Sequence, residues 1–132
     1  MRKYKGEVVN TDKGFTLIEM LIVIALIGIL VTIAAPSFQR SIIRARETSL
    51  KHTLFVFRDV IDQYYSDNGK YPETLETLVK SHYIREVAKD PFTRSRDTWV
   101  LIPPEGDEVS GVYDVHSGSD MVSLDGVPYN EW

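Results

Sequence analysis

Residues Gly14 to Pro36 read GFTLIEMLIVIALIGILVTIAAP, and this stretch decides the architecture. From Leu17 to Ala35 it carries one charge, Glu19. At about 1.5 Å per residue that segment makes a helix of roughly 28 Å, close to the ~30 Å hydrocarbon thickness of a bilayer. A chain of 132 residues has little material with which to surround such a helix as a soluble core. An ordinary cleaved secretory signal fits poorly too. Its apolar core is shorter and uncharged, although Ala34-Ala35-Pro36 imitates its cleavage site. The pattern predicts a membrane helix.

Working outward, charge is segregated along the chain. Met1 to Gly14 holds four bases (Arg2, Lys3, Lys5, Lys13) and two acids, and Ser37 to Arg96 holds eleven bases and eight acids. Asp97 to Trp132 holds eight acids and no base. The net charge of −4 argues against a nucleic-acid module, which needs clustered Lys and Arg. Without cysteine there is neither a disulfide framework nor a thiolate metal site. Bases flank the apolar segment on both sides, with Arg40, Arg44, Arg46 and Lys51 following it. The positive-inside rule therefore ties on orientation.

Glu19 is the anomaly. A carboxylate in a membrane helix costs about 2.5–3.5 kcal/mol on insertion scales and calls for a partner or a function. The plainer alternative is a residue near the helix end whose side chain reaches the headgroups.

Gly14-Phe15-Thr16-Leu17-Ile18-Glu19, after a short basic leader and before a long apolar helix, resembles the processing site of type IV pilins and of type II secretion pseudopilins. The resemblance implies cleavage by a prepilin peptidase between Gly14 and Phe15, with N-methylation of Phe15. It implies an assembly role for Glu19, for Gly28 and for Pro36, which stands where the family commonly has a proline. It also places the leader in the cytoplasm and the remainder outside. A positive amine at the tip of an apolar helix must be neutralised once water is lost, and the Glu19 of a neighbouring subunit would do so. That pairing would also set axial register.

Beyond Pro36 the helical pattern continues through Phe38, Ile42 and Ala45. Leu50, Leu54, Phe57, Ile61 and Tyr64 or Tyr65 then repeat at four and three. Asn68-Gly69 stops the helix, which is predicted over about Thr16 to Asp67. Gly28 and Pro36 bracket the stretch expected to bend or melt. Tyr71-Pro72-Glu73 introduces a short helix with Leu75, Leu78 and Val79 inward, and Ile84 to Phe92 reads as an extended connection. Thr98–Ile102 and Val109–His116 read as strands around a turn at 103–108. The expected fold is α+β and pilin-like: one long amino-terminal helix, half of it transmembrane, with a small antiparallel head. The parts are a leader at 1–14, a transmembrane and assembly helix at 15–36, its amphipathic continuation at 37–67, and a periplasmic head at 68–132.

Asp67-Asn68-Gly69-Lys70-Tyr71-Pro72, Lys89-Asp90-Pro91-Phe92, Trp99 and Gly111 to Ser117 resemble the major, G-type pseudopilin more narrowly. Adhesive pilins usually carry a larger head with a disulfide-closed loop, which this chain does not have. G-type pseudopilins bind calcium in the loop corresponding to Ser117–Gly126, so the resemblance gives Ser117, Asp120 and Asp125 a ligand role. The loop is one residue shorter than the family's, and Met121 stands for a glycine. An acidic solvated turn is the simpler alternative. No catalytic motif appears, and Asp114, His116 and Ser117 are chain neighbours that a strand turns to opposite faces.

The resemblance implies a non-enzymatic subunit, anchored once in the bacterial inner membrane, that forms a periplasmic pseudopilus driving type II protein secretion. Its partners would be further copies of itself, minor pseudopilins, the prepilin peptidase, the inner-membrane assembly platform and the lipid bilayer, with no nucleic acid and no cofactor but calcium. Two alternatives stand beside it. One is a type IV pilin of a surface filament for adhesion, motility or DNA uptake. The other is a membrane-anchored periplasmic binding protein or enzyme that never polymerises.

Overall fold

Apolar periodicity dominates the computed structural model, which describes residues 2–4, 6, 13–106 and 109–132. Most of the expected leader, and Asp107-Glu108 of the expected turn, lie outside the described residues. The elements are α1 (Leu17–Asn68), α2 (Leu75–Lys80), β1 (Val100–Ile102), β2 (Asp114–His116) and a 3-10 turn at Tyr129–Glu131. An α+β, pilin-like architecture follows: one long amino-terminal helix and a small antiparallel sheet. Residues 1–38 and 39–132 form two compact units.

In the first unit no residue in the apolar part of α1 is buried, and this part is long and apolar enough to cross a membrane. Helix continues through Gly28 and Pro36. The stretch expected to bend or melt is helical in the single chain. Proline deletes a single N–H, and its fixed φ is itself helical. The Thr32 hydroxyl donates to the Gly28 carbonyl at 2.8 Å, adding a local bond inside this stretch.

The second unit is built on the remainder of α1. Leu50, Leu54, Phe57, Ile61 and Tyr64 are buried at the four-three spacing. They meet Leu75 and Leu78 of α2, Val87, Trp99, Val112, Val115 and Tyr129. Tyr64, not Tyr65, takes the inward position. The stripe extends toward the amino end through Glu47 and half-buried Ile43, keeping the phase that Ala45 would break. Phe57 meets Trp99 edge-on at 5.1 Å, and the Trp99 indole N–H donates to the Ala88 carbonyl at 2.8 Å. Gly69, at φ +68°, ends α1 and donates its N–H to Tyr65. Thr74 caps α2 by accepting from the Thr77 N–H.

The sheet is smaller than expected. β1 and β2 pair antiparallel with Leu101 opposite Val115. Residues 109–113 do not join the strand, because Gly111 adopts φ +117° and the Val112 N–H turns to the Pro72 carbonyl at 2.7 Å. The chain pairs only after this detour.

Candidate functional site

The amino-terminal segment presents an exposed backbone and side chains. Gly14 has no neighbour within 4 Å of the point where a Cβ would lie, and Phe15 is 86% exposed. The Thr16 N–H donates to Glu19 Oε2 at 2.8 Å, while the Glu19 N–H donates to Thr16 Oγ1 at 3.2 Å. This reciprocal pair is a capping box that starts α1. The Thr16-x-x-Glu19 spacing announces it in the sequence. Glu19 therefore serves its own helix end with one oxygen, and Oε1 makes no hydrogen bond among the described residues. Gly28 and Pro36 lie farther along the same exposed helix.

In the second unit three side chains of α1 staple it to the carboxyl-terminal part of the chain. Buried Glu47 accepts from the Leu124 N–H at 2.8 Å and from the Tyr129 hydroxyl at 2.9 Å, both on Oε1. Burial, and then the facing Glu47 carboxylate, push the Tyr129 phenol up to about 12. Arg58 Nε donates to Asp114 Oδ1 at 2.6 Å, and its Nη2 donates to the Trp132 carbonyl at 3.0 Å. Burial alone would raise Asp114, but Arg58 outweighs it and holds the carboxyl below its usual range. Lys51 Nζ lies 4.7 Å from the centre of a Trp132 ring.

The loop at 117–126 is held from beneath by Asp90, which is fully buried. Asp90 accepts from the Ser117 hydroxyl at 2.5 Å, the Phe92 N–H at 2.8 Å and the Gly118 N–H at 3.3 Å. Ser117 is buried and in turn accepts from the Ser119 N–H. Asp120 and Asp125 are exposed. No three His, Asp or Glu side chains converge among the described residues. A divalent cation at this loop would need backbone carbonyls and water to complete its shell. Asp114 and His116 do share a face, with Nε2 and Oδ2 at 3.3 Å, whereas Ser117 turns away to Asp90.

Comparison with known proteins places both ends of the chain. A family model, the prokaryotic N-terminal methylation motif, matches residues 9–35. The fimbrial protein EcpC of Eikenella corrodens is 43% identical over 63 residues, 48% of this chain and 41% of that protein. The type IV major pilin protein PilE1 of Neisseria gonorrhoeae is 35% identical over 84 residues, 58% of this chain and 51% of the pilin. This chain spans about half the length of these fimbrial relatives. Type II secretion system core protein G of Escherichia coli (strain K12) is 31% identical over 125 residues, 81% of this chain and 82% of that protein. The chain belongs to the type IV pilin-like family that includes core protein G. No solved structure matches it significantly.

Within this pilin-like family the amino-terminal pattern was legible from sequence, and the staples of the head were not. Glu47 had a signal, because a carboxylate three residues before Leu50 and seven before Leu54 falls in phase with the buried stripe. A charge in an apolar stripe demands a partner. Asp90, Asp114 and Arg58 find partners at most 28, 56 and 74 residues away, through loops that no periodicity places.

Proposed function

We propose that this chain is a structural subunit of a periplasmic pseudopilus that drives protein export by type II secretion. One observation supports this reading over a surface pilin. The likeness to core protein G runs over about four fifths of both chains, whereas the likeness to pilins covers about half of each pilin. Residues are assigned by the family pattern. A prepilin peptidase on the cytoplasmic side of the inner membrane cuts between Gly14 and Phe15, where no side chain crowds the backbone, and Phe15 is N-methylated. Glu19 of one subunit then neutralises the amine of the next. Its capping bond uses Oε2, which leaves Oε1 for the incoming charge. Gly28 and Pro36 lie where the assembled helix relaxes. The subunit does no chemistry itself and works with minor pseudopilins and the assembly platform.

A deletion strain separates the readings: a pseudopilin mutant loses exoprotein secretion while twitching stays normal, and a pilin mutant does the reverse. Glu19→Ala is expected to leave membrane insertion intact and abolish cross-linked multimers. Subunits that polymerise like wild type with this substitution would refute the role.

Calcium at the 117–126 loop is part of the same proposal, with Asp120 and Asp125 as its carboxylate ligands beside backbone carbonyls. The Ser117 hydroxyl, bonded to Asp90, would enter only by exchanging that bond. Calcium should stabilise the protein by about 2.7 kcal/mol at a hundred times Kd, with no gain in Asp120→Ala or Asp125→Ala. An unchanged melting temperature removes the calcium site.

The type IV pilin remains the second reading, favoured by the 43% identity to EcpC over 63 residues.

A further inference from the structure

Three tyrosines at the far end of α1 enclose a cleft of about 440 Å³, completed by Pro104, Glu105 and Val109. Tyr65 stacks on Tyr71 with ring centres 4.4 Å apart, and Tyr113 stands edge-on to Tyr71 at 5.6 Å. Tyr65 and Tyr113 remain 43% and 50% exposed. The arrangement is built into the backbone. At Gly111 a Cβ would fall 2.7 Å from Tyr71 Cβ, so only glycine lets the two segments close. The Val112 N–H bond to Pro72 and the Tyr113 N–H bond to Ile102 then fix the third ring.

The chemistry of this cleft suits a cation. Aromatic faces attract guanidinium and ammonium groups, and Glu105 adds a full negative charge at the rim. Partial burial, then Tyr65, Tyr113 and Asp62, raise the Tyr71 phenol above its ordinary value, so it stays neutral and does not repel a ligand. No Lys or Arg lines the cleft among the described residues. The neighbouring Arg58 is already tied to Asp114 and the Trp132 carbonyl.

The same chain exposes Arg40 and Arg44, four residues apart on one face of α1. Neither is paired with an acid among the described residues. Arg44 precedes Tyr65 by 21 residues of continuous helix, about 31 Å, so it cannot reach the cleft of its own copy. We propose that the tyrosine cleft receives the guanidinium of Arg40 or Arg44 from a second copy of this chain. The proposal rests on the filament reading and names one of its lateral contacts.

Because the chain has no cysteine, the contact can be trapped cleanly. Full-length Glu105→Cys subunits are co-assembled in the membrane with differently tagged Arg40→Cys or Arg44→Cys subunits. A short bis-maleimide then restores the reach lost with the arginine. A mixed-tag dimer is expected from at least one arginine position. In a second pair that keeps Glu105 and both arginines, with thiols at Val109→Cys and Ser41→Cys, adding Tyr113→Leu should lower the yield about tenfold, as loss of a desolvated cation–π contact would. Filaments that form normally but yield no mixed dimer from either position overturn the cleft contact and leave the filament reading standing. Absence of wild-type multimers with an amine cross-linker overturns both. Cross-linking of the position-105 thiol to a different protein, with the mixed pair silent, overturns the proposal in favour of another cationic partner.

Discussion

Glu47 faces the core of the second unit and uses a single oxygen, Oε1, to accept from two donors that lie 77 and 82 residues further along the chain. A hydrogen bond to a charged acceptor contributes about 1.5–3 kcal/mol, and leaving the partners buried and unpaired adds to the loss. Glu47→Ala is therefore expected to lower stability by about 3 kcal/mol, and Tyr129→Phe by about 2 kcal/mol, in urea unfolding of residues 39–132. Equal stability of either variant and wild type would contradict the staple. The phenol also gives a pH signature. Its pKa rises from 10.0 to about 12 in the folded protein, so its contribution is complete below pH 10 and is lost as pH climbs toward 12. Tyrosine absorbance should show a late-ionising component that is lost in Tyr129→Phe, and the same substitution should flatten the stability profile between pH 10 and 12. Sequence reading stopped short of this pair. It followed the apolar members of the stripe and passed over the acid lying in phase with them.

At the scale of elements, helices were legible and strands only partly so. A helix is written locally, as a repeat of three and four with Asn68-Gly69 to end it, and α1 and α2 appear where that pattern puts them. Strand limits depend on what the neighbouring chain allows. Residues 109–113 carry strand formers, yet Val112 bonds Pro72, and this leaves three residues in β2. The second close approach is at Gly118, where a Cβ would sit 1.9 Å from the Thr98 carbonyl oxygen. Its φ lies outside the left-handed region, so the constraint is steric and not conformational. Gly118→Ala should displace the start of β1 and cost about 3 kcal/mol, at the upper end of ordinary overpacking. Hydrogen exchange at Val100–Ile102 would register it, and an unchanged protection pattern would remove the constraint. The candidate loop beyond Gly118 was found by composition, but its anchoring to Asp90 was not, because that bond joins residues 27 apart through two turns.

At the scale of the whole molecule, two solvents are written into one chain. Residues 17–35 expose apolar side chains throughout, from Leu17 at 79% to Ile33 at 68%, whereas residues 39–132 gather a buried apolar core around α1. Full-length protein should resist carbonate extraction from membranes, and residues 39–132 should stay in the supernatant. Recovery of that fragment in the pellet would mean that the head carries a membrane contact of its own. This division was plain in the sequence, since hydrophobic burial and lipid solvation both follow from composition over long windows.

The core of the head has a consequence for its biogenesis. Tyr129 is 1% exposed, stacks on Phe92 at 3.8 Å and closes over Glu47, so an internal wall of the domain is supplied from 82 residues beyond the helix position it covers. Until position 129 has been synthesised and delivered across the bilayer, the stripe on α1 has no lid, and its apolar face stays open to any passing chain. Folding of the head must then wait for position 129 to arrive, and a subunit stalled short of that point would be a ready substrate for proteolysis.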